Sequence, residues 1–213
     1  MIVTHLGHSA VLVETGDRRL LIDPGDLSQA WHGLSELDAV IVTHQHPDHA
    51  DPVHLPGLLA ANPRAQVLVE PSSSELSGLP RARPLEAGQS VDLGSVRIRA
   101  VGGRHAVIHR DIPRIGNVGV VLEAAGEPRF FHPGDALEAV PAGVDLVGLP
   151  AHGPWCAMKE IIDFARALAA PRGFLIHDGL INQRGWRLSF DRLGQMSGTE
   201  LVDLRSGQPW TVA

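Results

Sequence analysis

Hydrophobic positions in this chain come in short bursts. Val11–Glu14, Arg19–Asp23, Ala39–Thr43 and Gln66–Glu70 are rich in Val, Leu and Ile and are separated by Gly, Asp and Pro, the pattern of β-strands bounded by turns. Between the last two, Pro52–Ala61 predicts a short helix ended by Asn62-Pro63. A second block repeats the theme with Ser90–Leu93, Val96–Val101, Val118–Glu123, Arg129–Phe131 and Leu146–Leu149. Trp155, Met158, Ile161, Ile162, Phe164 and Leu168 then recur at near-helical spacing, predicting a core-facing helix over Trp155–Ala169. A strand at Gly173–Ile176 and a helix at Leu188–Met196 complete the expectation. Two strand-rich halves, each supplied with helices, point to an α/β (α+β) sandwich of two packed sheets. A doubly wound parallel sheet would alternate strand and helix more regularly and carry a Gly-rich phosphate loop, and neither GxGxxG nor GxxxxGK[ST] occurs.

Composition narrows the class. The 213 residues are 44 % apolar and 20 % charged, as in an ordinary globular protein, and the expectation is one domain over 1–213. The formal charge of −6 and a pI near 6.0 argue against a polyanion, so no nucleic-acid partner is expected. No apolar run approaches the roughly 18 residues of a membrane span, and Met-Ile-Val-Thr-His-Leu-Gly lacks the basic flank and apolar core of a signal peptide. A cytoplasmic protein acting on a small molecule is the default, with oligomeric state open. Cys156 is the only cysteine, which forbids an intrachain disulfide and a Cys-rich zinc module; it reads as a small packed residue.

Histidine is the anomaly, with twelve copies against no tyrosine. His44-Gln45-His46-Pro47-Asp48-His49 follows directly on an apolar strand. In extended backbone His44 and His46 point the same way, and a turn at Pro47 carries Asp48 and His49 to the other side of the same pocket. Ligating groups crowded so closely are costly unless a cation sits among them. Imidazole and carboxylate suit Zn²⁺, and also Fe²⁺ or Mn²⁺. Three histidines close one tetrahedral site with a position left for water, so the surplus of Asp48 and His49 hints at two ions. Further ligands are expected at other strand ends, where Gly102-Gly103-Arg104-His105, His132-Pro133-Gly134-Asp135 and His177-Asp178-Gly179 each pair a polar ligand with a turn glycine.

With His44, His46, Asp48 and His49 as HxHxDH, followed in order by His105, Asp135 and His177, the chain resembles the metallo-β-lactamase superfamily of hydrolases. Leu6-Gly7-His8-Ser9-Ala10 and Leu21-Ile22-Asp23-Pro24 agree with it. The stretch from Asp145–Pro150 through a helix to Gly173–His177 is similar to the small branch of ascorbate-phosphate lactonase-like metal-dependent hydrolases. The resemblance implies a four-layer αββα sandwich with the site where the sheets meet. It implies His44, His46 and His105 on one divalent ion, Asp48, His49 and His177 on a second, and Asp135 bridging both. Asp48 would also orient the attacking hydroxide and collect its proton. His109 and His132 are the neighbouring alternatives to His105 and Asp135; His105 lies closer to its strand end, so His109 is expected to line the pocket. His8 and Asp23 are expected to orient ligands, and His152 to face the same edge from its loop. His5, His32 and His54 read as structural or surface residues.

The implied activity is hydrolysis of an ester, lactone or phosphoester bond of a small metabolite by hydroxide ionised on the metal. An iron-dependent oxidoreductase resembling the sulfur dioxygenases is the first alternative, since three histidines also suit Fe²⁺. A nuclease is the second, disfavoured by the absence of a Lys/Arg-rich run or long insertion. Arg104, Arg110 and Arg114 are candidate contacts to a phosphate or carboxylate, weighed against solvated surface charge.

Overall fold

The computed structural model describes residues 1–76 and 79–212. One sheet is built from β1 (Ile2–His5), β2 (Val11–Thr15), β3 (Arg18–Ile22), β4 (Ala39–Val42), β5 (Gln66–Val69), β6 (Ala82–Pro84) and β14 (Trp210–Thr211). The other comprises β7 (Ser90–Leu93), β8 (Val96–Gly102), β9 (Val118–Ala124), β10 (Phe130–His132), β11 (Leu146–Pro150), β12 (Arg172–Ile176) and β13 (Glu200–Val202). Their orders are β14-β1-β2-β3-β4-β5-β6 and β13-β12-β11-β10-β9-β8-β7. Each begins as an antiparallel meander and continues as parallel strands, from β3 in the first and from β10 in the second.

Alternation along the strands decides the layering. Val11, Val13, Leu20, Ile22, Ala39 and Ile41 of the first sheet share one buried cluster with Ile98, Ala100, Val120, Leu122, Phe130 and Phe174 of the second. The intervening residues face outward. Leu12, Leu21, Val40 and Val42 pack under α1 (Leu55–Ala61), and Val121, Phe131, Val147 and Leu149 pack under α3 (Met158–Leu168) and α4 (Gln183–Met196). The result is the αββα sandwich. Phe130 and Phe174 stack at 5.9 Å and 13° in its middle, a pairing worth about 0.5–1.5 kcal/mol beyond the area buried.

Several boundaries differ from the sequence reading. Strands β1, β6, β13 and β14 and the short helix α2 (Pro71–Leu76) had no strong periodic signal. Helix α4 starts at Gln183, earlier than expected, because Asn182 caps it: its side chain accepts the N–H groups of Arg184 and Gly185 at 3.0 and 3.1 Å. Helix α3 starts later than expected, at Met158. Trp155 therefore lies in the preceding loop and is no member of the helical stripe. Among the described residues no helix is long and apolar enough to cross a membrane.

Candidate metal centre

The carboxyl ends of β3, β4, β8, β10 and β12 open on one edge of the sandwich, and each strand leads to a polar residue there: Asp23, His44, His105, Asp135 and His177. Strand β4 stops at Val42, and the 46–50 segment folds into a turn in which the His46 carbonyl accepts the N–H groups of His49 and Ala50. The backbone is strained where it delivers these groups. His8, Asp23 and His177 have φ of 52°, 51° and 56°, a region that costs non-glycine residues of order 1–3 kcal/mol and persists where surrounding contacts over-determine it. Gly25 is required for a different reason. A Cβ there would lie 1.7 Å from the Asp48 carbonyl oxygen, so only glycine lets the loop after β3 run against the Asp48 backbone.

Proton positions follow from obligate acceptors. Carbonyls only accept, so His105 donates Nδ1–H to the Ala106 carbonyl at 2.7 Å, and its Nε2 keeps a lone pair that is buried without a partner. Thr43 gives its hydroxyl proton to Asp23 Oδ2 at 2.7 Å and accepts Nδ1–H of His44 at 3.1 Å. His44 Nε2 therefore carries a lone pair, which accepts Nδ1–H of His46 at 3.1 Å. The same Asp23 oxygen accepts Nδ1–H of His49 at 2.7 Å, and Asp23 Oδ1 accepts the Thr43 N–H at 2.7 Å. Asp23 thereby fixes two rings, one directly and one through Thr43, as carboxylates behind metal histidines do.

Two groups of ligating atoms result, each within a 4.8 Å span: His44, His46, His105 and Asp135 in one, His8, Asp48, His49 and His177 in the other. Asp135 lies between them. Its Oδ2 is 3.1, 3.5 and 3.9 Å from Nε2 of His177, His105 and His44, and its Oδ1 is 3.1 Å from Nε2 of His49. His8 is set apart by its tautomer. Its Nδ1 accepts the Gly179 N–H at 3.0 Å, so the proton sits on Nε2 and is donated to Asp48 Oδ2 at 3.0 Å. Neutral His8 thus has no lone pair to give an ion; it holds Asp48.

Burial and mutual charge set the protonation states. Burial drives the His44 imidazole well below its usual pKa, assisted by His49. Burial would do the same to His49, but the Asp135 and Asp23 carboxylates hold it well above the usual value. For Asp135 burial pushes upward, yet His49 and the ring hydrogen bonds hold it well below the carboxylate range. Burial also works against ionised Asp48, and the His8 hydrogen bond with the His49 charge brings it down to about 2. So acidic a carboxyl is a weak base, suited to anchoring a cation or orienting a water more than to collecting a proton. The fit to a metal is chemical. Converging ring nitrogens of His44, His46 and His105 against the Asp135 carboxylate make a donor set that a borderline divalent cation satisfies, with the His46 proton displaced on binding.

Other candidates fall outside this cluster. His132 is fully buried but donates Nε2–H to the Ser9 carbonyl at 3.0 Å and accepts the Gly134 N–H on Nδ1 at 3.2 Å, which exhausts the ring. His109 is exposed, its Nδ1 accepting the Asp111 N–H. His152, expected at the metal edge, is exposed and faces a separate hollow with Met158, Ile181 and Leu188. Arg114 is committed to the His105 carbonyl and the Glu138 carboxylate, and Arg110 is almost fully exposed.

Two contributors escaped the sequence reading. Trp155 lies edge-on to both His105 and His177, with ring centroids 6.1 and 5.8 Å away, so it walls both halves of the cluster; the Gly-Pro break before it was the available signal. Asn117 accepts the Asp135 N–H at 2.9 Å and donates to the Pro133 carbonyl at 3.0 Å, holding the turn that presents Asp135. Cys156 is half-buried with its thiol pushed up to about 12, chiefly by burial, which keeps it in the protonated, unreactive form at neutral pH.

Comparison with known proteins bears on the family and the fold. Residues 2–172 match the family model described as beta-lactamase superfamily domain. The chain is 39 % identical over 201 residues to protein Rv0786c of Mycobacterium tuberculosis, covering 94 % of both. It is 29 % identical over 163 residues to a UPF0173 metal-dependent hydrolase of Aeropyrum pernix, covering 68 % of this chain and 65 % of that one. In fold it is similar to Igni18, a metallo hydrolase from Ignicoccus hospitalis, with a TM-score of 0.72 at 14 % identity, covering 100 % and 99 % of the two chains. With the family model matched over residues 2–172 and the two-sheet sandwich, the chain belongs to the metallo-β-lactamase superfamily.

Proposed function

We propose that this chain is a metal-dependent hydrolase with a dinuclear centre, cleaving an ester or lactone bond of a small metabolite. The observation that carries this reading is the placement of Asp135 between two groups of ligating atoms, within 3.1–3.9 Å of four imidazole nitrogens. His44, His46 and His105 would hold one ion, Asp48, His49 and His177 the other, and Asp135 both. Zn²⁺ suits this N/O set best, with Mn²⁺ or Fe²⁺ admitted. The names of UPF0173 relatives as metal-dependent hydrolases support the reaction class.

When bound, such ions supply water ionised near neutral pH and a Lewis acid for the substrate oxygen. The protein's share is positioning. Asp48, kept ionised and aimed by His8, orients the attacking water. Trp155 excludes solvent from one side, and the cavity reaching His46 and His105 beneath residues 106–115 has only about 10 Å³, room for roughly one water. Val107 and Ile112 are exposed on that segment and Arg114 is already paired, which supports an ester or lactone, while the exposed Arg110 keeps a phosphodiester in the panel. The test is turnover of a lactone, aryl-ester and phosphodiester panel by metal-loaded protein, with His46→Ala as control. Metal-dependent lactone or ester cleavage lost in His46→Ala supports the reading; a fully loaded protein that turns over none of the panel overturns it.

A further inference from the structure

A third group of ligating side chains lies outside the centre. His32, Asp51 and His54 bring one ligand atom each within 4.8 Å of one another. Asp51 is buried, and its Oδ1 accepts the N–H groups of Val53 and His54 at 2.7 and 3.1 Å. Its Oδ2 accepts Nδ1–H of His54 at 2.7 Å, a proton that a cation shared by the two groups would displace. The His32 ring stacks on that of His54, with centroids 4.3 Å apart at 30°. His32 Nε2 is buried and has no hydrogen-bond partner. Such an atom is costly as it stands, and a bound cation would satisfy it.

Neighbouring residues make the arrangement more than a surface accident. Trp31 is fully buried and donates its indole N–H to the Gly25 carbonyl at 3.0 Å, fixing the backbone beside His32. A hollow of about 150 Å³ is lined by His32, Asp51 and His54 together with Asp26, which adds a second carboxylate. Bonds of about 2.1 Å at tetrahedral angles place ligand atoms roughly 3.4 Å apart, a spacing the exposed His54 side chain reaches by giving up its 2.7 Å hydrogen bond to Asp51.

We propose that His32, Asp51 and His54 form a further binding site for a late first-row divalent cation, Zn²⁺ or its Co²⁺ and Ni²⁺ counterparts. Two imidazoles and a carboxylate are a ligand set such ions accept, with Asp26 or water completing the shell. The site is separate from the centre but shares its scaffold: the Asp26 N–H bonds to the Pro47 carbonyl at 2.9 Å and the Asp51 N–H to the Pro24 carbonyl at 3.0 Å. An ion there clamps residues 26–32 onto the segment that carries Asp48 and His49. It fills more weakly than the buried centre because it has fewer fixed ligands and is open to solvent.

The experiment is equilibrium dialysis of protein whose buried centre is already saturated, against rising free Zn²⁺. Wild type is expected to take up one equivalent more than His54→Ala and His32→Ala, whatever the number of ions in the centre. His54 is exposed, so its alanine variant is expected to fold, which circular dichroism checks. The same excess Zn²⁺ is expected to raise the Tm of wild type but not of His54→Ala. Equal uptake by wild type and His54→Ala, or equal shifts in Tm, overturns the proposal. Loss of hydrolytic activity plays no part in it.

Discussion

His8 holds Asp48 in place: its Nε2–H reaches Asp48 Oδ2 at 3.0 Å while its Nδ1 accepts the Gly179 N–H, and its own backbone N–H is donated to Asp178 at 3.1 Å. The ring is thus fixed from the segment after β12 and in turn fixes a side chain from the segment after β4. Replacing it by alanine frees Asp48 and leaves the Gly179 N–H unpaired. His8→Ala is expected to weaken the metal held by Asp48 about 10–100-fold, read by equilibrium dialysis with circular dichroism confirming the fold. Unchanged affinity would show that Asp48 needs no such support.

Asp23 and Thr43 separate stability from ligand orientation. Asp23→Ala removes the acceptor of three hydrogen bonds in a fully buried place and is expected to cost about 1–3 kcal/mol for each donor left unpaired. Thr43→Val keeps shape and removes only the hydroxyl between His44 and Asp23. It is expected to lower metal affinity more than it lowers the chemical-denaturation midpoint, and the reverse order would contradict the relay.

Metal loading should release a proton from His49. In the free protein Asp135 and Asp23 keep His49 well above the usual imidazole pKa, so it is charged at pH 7, and a metal on Nε2 must displace that proton. His44 lies below the usual value and is already neutral. Calorimetric titration in buffers of different ionisation enthalpy is expected to show about one proton released at pH 7, and correspondingly less in His49→Gln.

Gly25→Ala forces a methyl into the Asp48 carbonyl. Backbone on both sides must shift, an overpacking expected to cost about 1–3 kcal/mol or more. Metal affinity should fall with stability, because the displaced atoms carry Asp48. Retained affinity in a folded variant would show that the two loops are less tightly joined.

His109→Ala and His152→Ala are expected to keep full kcat/KM on any substrate found. Both side chains are exposed and neither reaches the ligating groups. A loss in either variant would place that loop over the substrate.

The core of the fold was legible because its strands are short apolar runs between Gly, Asp and Pro, and because HxHxDH sits at the end of one of them. Three of the four edge strands were not. Ala82–Pro84, Glu200–Val202 and Trp210–Thr211 are three residues or fewer, and pairing rather than pattern makes them strands. Within the site, residue types pointed to the groups that converge, but proton positions depend on which backbone atom each ring meets. That information lies in tertiary contacts: Gly179 to His8, Ser9 to His132, Ala106 to His105. Trp155 shows the opposite hazard. Its spacing from Met158 and Ile162 mimics a helix face, yet the Gly-Pro pair before it lets it turn to the histidines.

Asp135 comes from one sheet, while His44 and His49, which it faces, come from the other. The seam between the halves is therefore laced by the very groups proposed to take up metal. An ion there would act as a rivet, and its departure would leave buried carboxylates and imidazoles to hold two layers together without it. Affinity for metal and resistance to unfolding are then one free energy seen from two directions, so a cell's metal supply would set how long this sandwich stays closed.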